Sequence, residues 1–172
     1  MTDWSLRLAR PADAETMPAI EAAAAVRFSG VPELAELSFS ATRDATAYLR
    51  LIRKGHCLVT HVGEEMAGFL ACEPFGRELH IREMDVLPAY QGRGIGSGLL
   101  RACMVDARNS GFSALTLTTF RDVVWNAPFY ARLGFEEVTA LDAHPRLAGE
   151  LALEADNGLP ARLRCAMIRF VD

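Results

Sequence analysis

Apolar positions along this chain alternate between a two-residue and a three-to-four-residue period, and the switches between them mark out the elements. Leu6 and Leu8 alternate with arginines and predict a first strand, ending at Pro11. Asp13 is placed to cap a helix over Ala14–Ala25, whose Met17, Ile20 and Ala24 share one face. A loop through Ser29, Gly30 and Pro32 leads to a helix over Asp44–Lys54. His56–His61 and Met66–Glu73 read as strands of a hairpin joined through Gly63, Glu64 and Glu65. Leu79–Leu87 is a further strand, and Ser97–Asn109 a helix stopped by Ser110 and Gly111. Ala114–Phe120 shows alternating Leu115 and Leu117 and is again a strand. Ala127–Leu133 predicts a short helix closed by Gly134, the residue helices favour just past their end. Phe135–Ala140 and Arg164–Val171 read as closing strands, with a helix over Leu147–Ala155 between them. Hairpins mixed with helices give an α/β (α+β) class: one domain over residues 1–172, with a mixed, mostly antiparallel sheet flanked by helices.

Composition narrows the function without naming it. With 51% hydrophobic and 23% charged residues, the chain has the balance of a packed globular protein. A net charge of −4 argues against a protein that coats nucleic acid, yet permits a local basic patch for a phosphorylated ligand. Lys54 is the single lysine, so nearly all positive charge is arginine. Arginine suits bidentate phosphate contacts, although a base-composition bias gives the same excess. Cys57, Cys72, Cys103 and Cys165 lie far apart among apolar neighbours and read as buried free thiols, with neither disulfides nor a metal expected. The opening MTDWSLRLAR resembles neither a signal peptide nor an anchor, and apolar runs such as Ala22–Val26 are too short for a membrane span. A cytoplasmic protein without a membrane or nucleic-acid partner is expected, as a monomer or homodimer.

The chemistry concentrates between Met84 and Leu100, where a strand enters a glycine-rich turn that opens a helix. Glycines there allow positive φ and close ligand approach. The free N–H groups of a first helical turn, with the helix dipole, favour an anion, and Arg93 adds a charge beside them. A pyrophosphate is the expected guest. No lysine follows the glycines, so the GxxxxGK[ST] phosphate loop is absent. The dinucleotide pattern GxGxxG begins at Gly94 and Gly96 but meets Leu99 where its last glycine belongs, which speaks against a nicotinamide enzyme.

The order Gln91-Gly92-Arg93-Gly94-Ile95-Gly96, after a strand carrying Val86 and Pro88, resembles the Q-x-x-G-x-G motif of the GNAT family of N-acetyltransferases. Asn126-Ala127-Pro128-Phe129-Tyr130-Ala131-Arg132-Leu133-Gly134-Phe135 is similar to the second half of another motif of that family, and Leu6–Ala14 looks like its first strand and helix start. The resemblance implies an acetyltransferase fold and transfer of an acetyl group from acetyl-CoA, without a metal, to the primary amine of a small molecule. It implies that Asp85, Val86 and Leu87 hold the pantetheine arm. The backbone of Gln91, Gly92, Arg93, Gly94, Ile95, Gly96 and Ser97 would cradle the pyrophosphate. Asn126 would contact the cofactor, its other role being to cap the following helix.

Tyr130 matches the tyrosine that the family uses as general acid toward the departing thiolate, the alternative being a packed aromatic beside Phe129. For the base, Glu83 and His80 both precede the loop. An odd spacing puts them on opposite faces of a regular strand, and a bulge would reverse that parity. Glu83 is the preferred candidate, with Asp85 or a relayed water as further routes. A peptide or protein N-terminus is an alternative acceptor. A CoA-thioester sensor without turnover is the alternative class, and a phenol at Tyr130 argues against it. Arg121 and Trp125 are candidates for the acceptor side but read more simply as a turn residue and a core aromatic. The segments Glu21–Ala41 and Asp142–Pro160, the latter with His144 and Glu150, would enclose the acceptor, and neither carries a decodable motif.

Overall fold

A computed structural model describes residues 3–37 and 43–171; part of the expected acceptor segment, 38–41, lies outside the described residues. Among the described residues seven strands, β1 (Ser5–Leu8), β2 (Leu58–Val62), β3 (Glu65–Phe75), β4 (Glu78–Val86), β5 (Ala114–Phe120), β6 (Glu136–Glu137) and β7 (Arg164–Phe170), form one sheet. Their order is β1-β2-β3-β4-β5-β7-β6, and only β4 and β5 run parallel. The helices are α1 (Met17–Ala25), α2 (Ala45–Ile52), α3 (Ile95–Asn109), α4 (Ala127–Arg132) and α5 (Pro145–Asp156).

Strand alternation sends the apolar side chains into two layers. Leu70, Leu79, Ile81, Leu115 and Leu117 meet Leu99, Leu100 and Cys103 of α3 on one face, where Tyr130 and Phe135 also pack. On the other face Phe69 and Ala71 meet Met17 and Ile20 of α1 and Tyr48 and Leu51 of α2. Fully buried side chains such as Leu70 and Leu99 each contribute about 1.5–3 kcal/mol over an exposed state. All four cysteines are buried and free.

Most of the expected elements are present, and three differ for local reasons. The α-helix expected from Ala14 begins only at Met17, after a 3-10 turn over Pro11–Glu15. Asp13 does not cap it: its carboxylate accepts from the Arg10 amide at 2.6 Å and from both Arg7 guanidinium nitrogens at 2.7 and 2.9 Å. The strand expected over Phe135–Ala140 shrinks to Glu136–Glu137, because the chain leaves the sheet edge through a turn at Leu141–Ala143 to start α5. The loop near Ser29 and Pro32 is wound into 3-10 turns, Val26–Gly30 and Pro32–Leu34. By contrast Asp44, the first residue of the helix expected over Asp44–Lys54, does cap α2, accepting from the Ala47 amide at 2.7 Å.

Candidate active site

The parallel pairing of β4 with β5 lasts only from Glu78–Ala114 to His80–Thr116. Beyond it the two strands part, since β4 continues to Val86 beside β3 alone while β5 continues beside β7. The Leu87 amide donates to Ala67 of β3 at 2.8 Å, so by strand alternation the backbone of Val86 faces the gap. Of Asp85, Val86 and Leu87, the set expected to hold the pantetheine arm, Val86 is the one whose backbone faces the gap.

At the end of β4 the chain makes a short turn and enters α3. Gly92 and Gly94 hold φ of 77° and 81°, which side-chain-bearing residues rarely adopt. The first α3 amide bound to the backbone is that of Gly98, donating to Gly94 at 2.9 Å. The amides of Ile95, Gly96 and Ser97 have no backbone acceptor among the described residues, and the Ser97 hydroxyl donates to the Gly94 carbonyl. Gln91 is spent on the loop itself. Its side-chain amide donates to the Val86 carbonyl at 2.9 Å, its side-chain oxygen accepts from Arg27 at 3.1 Å, and its backbone amide turns to Pro88. Arg93 is exposed, stacked over Tyr90 and paired with Asp3 at 3.3 Å.

One irregularity sets the chemistry beside this loop. Ala71 pairs with Glu83 and Cys72 with Ile81, leaving Arg82 as an extra residue in β4. This bulge reverses the strand parity. Leu79, Ile81, Met84 and Val86 all pack toward α3, so His80, Glu83 and Asp85 share the opposite face. His80 lies at the closed end of the gap, 2% exposed, with Nδ1 2.9 Å from Thr116 Oγ1 and approached by Arg146 at 3.3 Å. Burial, then the charges of Arg82, Arg146 and Arg43, push its pKa down to about 3, so it is neutral throughout the physiological range.

Glu83 is at the open end. Arg43 donates to it at 2.9 Å, while the backbone amide of Arg43 and the Tyr48 hydroxyl donate to Glu21 at 3.1 and 2.6 Å. Burial holds the Glu83 carboxyl above the usual range, with Arg43 opposing and Glu21 reinforcing. Asp85 is held well above it by burial, then by the charges of Glu83 and Glu21, and its Oδ2 is buried with no hydrogen-bond partner among the described residues. Sequence reasoning singled out neither Arg43 nor Tyr48 and reached Glu21 only as the start of the expected acceptor segment; the only signal of all three is position in elements that the fold brings together.

Across the gap α4 carries Tyr130, 7% exposed, its ring 5.4 Å from Phe129 and 5.7 Å from Phe135. Burial, followed by the charges of Glu83 and Asp85, holds its phenol above the ordinary range, so the two carboxylates lie close enough to act on this hydroxyl. Asn126 precedes α4 yet makes no capping bond among the described residues, where its buried Oδ1 is also without a partner. An orphaned buried acceptor of this kind is costly unless a ligand completes it.

The residues 27–135, which span the gap, the loop and Tyr130, match the Acetyltransferase (GNAT) family. The chain belongs to that family. The RimI N-alpha-acetyltransferase of Mycobacterium tuberculosis is 34% identical over 111 residues, 63% of this chain and 66% of that protein. The fold is shared with the ribosomal-protein-S18-alanine N-acetyltransferase of Escherichia coli (TM-score 0.70, 15% identity, 98% of this chain and 94% of that one). It is also shared with the PaiA N-acetyltransferase of Thermoplasma acidophilum in complex with coenzyme A (TM-score 0.68, 14% identity, 97% and 98%).

Other candidates for the acceptor side of this GNAT chain are tied into the fold. Arg121 donates to Glu137 at 2.9 Å, and Trp125 lies under Arg27 at 3.9 Å beside Phe28. His144 bonds Glu78 at 2.9 Å, and Glu150 accepts from Arg82 at 2.6 Å.

Proposed function

We propose that this chain is an acetyl-CoA-dependent N-acetyltransferase that passes its acetyl group directly, in a ternary complex, to the primary amine of a small molecule. The carrying observation is the parted β4–β5 pair, with free helix amides at one end and Glu83, Asp85 and Tyr130 gathered at its margin. The residues fit the cosubstrate: a run of unclaimed N–H groups suits a pyrophosphate, and the orphaned Asn126 Oδ1 awaits a donor.

Bound acetyl-CoA supplies an activated thioester; the protein supplies grip and proton handling. Gly92 through Ser97 hold the phosphates, and Arg93 leaves its exposed partner Asp3 at little cost, since such a pair is worth about 0–1 kcal/mol. The Val86 amide, facing the gap, aligns the arm. Glu83, its pKa moved toward the working range, accepts a proton from the amine. The amine lone pair forms the C–N bond, the C–S bond breaks with its electrons on sulfur, and the Tyr130 hydroxyl gives its proton to that sulfur. Solvent returns the proton to Tyr130, and an acceptor that arrives as an ammonium ion releases one proton overall. The 34% identity to an N-alpha-acetyltransferase favours, as a second reading, a protein N-terminus as the amine.

The test pairs binding with turnover. CoA should stabilise the protein by roughly 2.7 kcal/mol at a hundredfold excess over its dissociation constant, well beyond NADH or ATP. Gly94→Asp places a carboxylate among the free amides, and should weaken acetyl-CoA by at least about tenfold, or 1.4 kcal/mol. A larger thermal shift with NADH or ATP would sink the reading. Thiol release across a panel of small amines and N-terminal peptides then decides between the two acceptors.

A further inference from the structure

A second recess opens on the same face as Glu83, between α2 and α5 and above the β4 bulge, with a volume of about 820 Å³. Its walls include the apolar side chains Ala47, Leu51 and Leu153, but its charge is one-sided. Arg43, Arg50, Arg53, Lys54, Arg82 and Arg146 line it, against Glu73 and Glu150 alone. That is six of the 18 basic residues of a chain whose net charge is −4, so the recess departs from the average surface. Several of these cations have fixed duties. Arg82 is bound to Glu73 and Glu150, Lys54 to Glu73, and Arg146 to Glu78. Arg50 and Arg53 have no carboxylate partner among the described residues, and they lie one turn apart at the end of α2. Arg43 joins the recess to the reaction centre, because it lines the one and donates to Glu83 in the other at 2.9 Å.

An ammonium group would be drawn to Glu83 and Glu21, whereas the adjoining recess repels cations and offers planar forks that match carboxylate and phosphate oxygens. We infer that the recess holds an anionic group of the acceptor, a carboxylate or a phosphate, so that the amine acetylated here belongs to an acid-bearing molecule. This inference rests on the N-acetyltransferase reading for the amine, but not for the anion.

The experiment has two arms. In the first, kcat/KM is measured for charge-matched amines: O-phosphoethanolamine against ethanolamine, β-alanine against its amide, and a tripeptide with acidic residues after its N-terminus against a neutral one. The acidic members should lead by at least tenfold through KM, the phosphate and carboxylate pairs showing which anion is preferred. The Arg50→Ala, Arg53→Ala double variant should erase that lead, while an acetyl-CoA dissociation constant within twofold shows that the fold is intact. Equal rates for acidic and neutral members, or a lead that survives in the variant, would overturn the inference. In the second arm, glutarate, which carries no amine, is titrated by calorimetry into protein saturated with CoA, so that the α3 amides are already occupied. Binding should be detectable and at least tenfold weaker in the double variant. Glutarate binding without acetylation of any amine would sink the acetyltransferase reading and keep the anion site. Acetylation of neutral amines without glutarate binding would sink the anion site alone, and failure of both would sink both.

Discussion

Replacing Tyr130 by Phe removes one oxygen and separates catalysis from packing. The ring is 7% exposed and wedged edge-on against Phe129 and Phe135, contacts that phenylalanine keeps. The hydroxyl makes no hydrogen bond among the described residues, so its loss leaves no protein partner unsatisfied, and stability should change by less than about 0.5 kcal/mol. Tyr130→Ala instead empties a ring from the core and should cost about 3–5 kcal/mol. Because burial and the charges of Glu83 and Asp85 raise the phenol, it remains a proton donor at every physiological pH. If that proton goes to the departing sulfur, Tyr130→Phe should lower turnover by about a hundredfold to ten-thousandfold, the range for one general acid. In barrier height this is roughly 2.7–5.5 kcal/mol. The assay is thiol release at saturating acceptor, with acetyl-CoA affinity measured by calorimetry on both proteins. A loss under threefold would remove the hydroxyl from the mechanism, and weakened acetyl-CoA binding would reassign it to holding the cosubstrate.

Two further outcomes follow from the geometry. At Gly68 an added Cβ would sit 2.7 Å from the Asp85 carbonyl and 3.2 Å from the Val86 Cα, so Gly68→Ala should push β4 at the gap; urea unfolding should show a loss of about 1–3 kcal/mol, and a change under about 0.5 kcal/mol would refute the close approach. Asp85 has a raised pKa in the folded protein, so its contribution is fully present below its unfolded pKa of about 4 and is lost as pH rises through the folded value; Asp85→Asn should therefore flatten the fall of Tm with rising pH, and an unchanged slope across a pH series of melts would count against the buried carboxyl.

Local pattern carried the fold far. Ala114–Phe120 has the bounds its alternation suggests, and the end of α4 at Gly134, with φ of 86°, follows from glycine's freedom there. The phosphate-type loop was legible because its chemistry is contiguous: the glycines and the helix start lie within a few residues. Long-range pairings were not. Arg43 meets Glu83 across 40 positions, and Tyr48 meets Glu21 across 27, contacts that no periodicity encodes. Asn126 and Asp13 are both residue types that cap helices, yet neither caps the helix that follows: Asp13 is claimed by nearby Arg10 and Arg7, and Asn126 makes no capping bond among the described residues. Phe135–Ala140 alternates like a strand, but at the sheet edge it has a partner on one side only, and it yields to the turn into α5.

The single extra residue in β4 accounts for much of the site. Without Arg82 as a bulge, Glu83 would point into the α3 layer with Leu79 and Ile81, where an ionised carboxylate is costly. With it, Glu83 and Asp85 turn to the face where Glu21 already stands, and the strand bends as bulged strands do, close to where it leaves β5. Three carboxyl groups in one half-buried neighbourhood cannot all ionise cheaply. The cation is placed unequally: Arg43 donates to Glu83, while Asp85 Oδ2 has no hydrogen-bond partner among the described residues. Asp85 therefore keeps its proton to higher pH, and in the proposed reaction Glu83, steadied by Arg43, is the member that stands ionised and takes a proton from the incoming amine. Sequence alone preferred Glu83 over His80, with Asp85 or a relayed water as further routes. The bulge and the single arginine support the proposal that Glu83 is the base, with His80 walled off at the closed end of the gap.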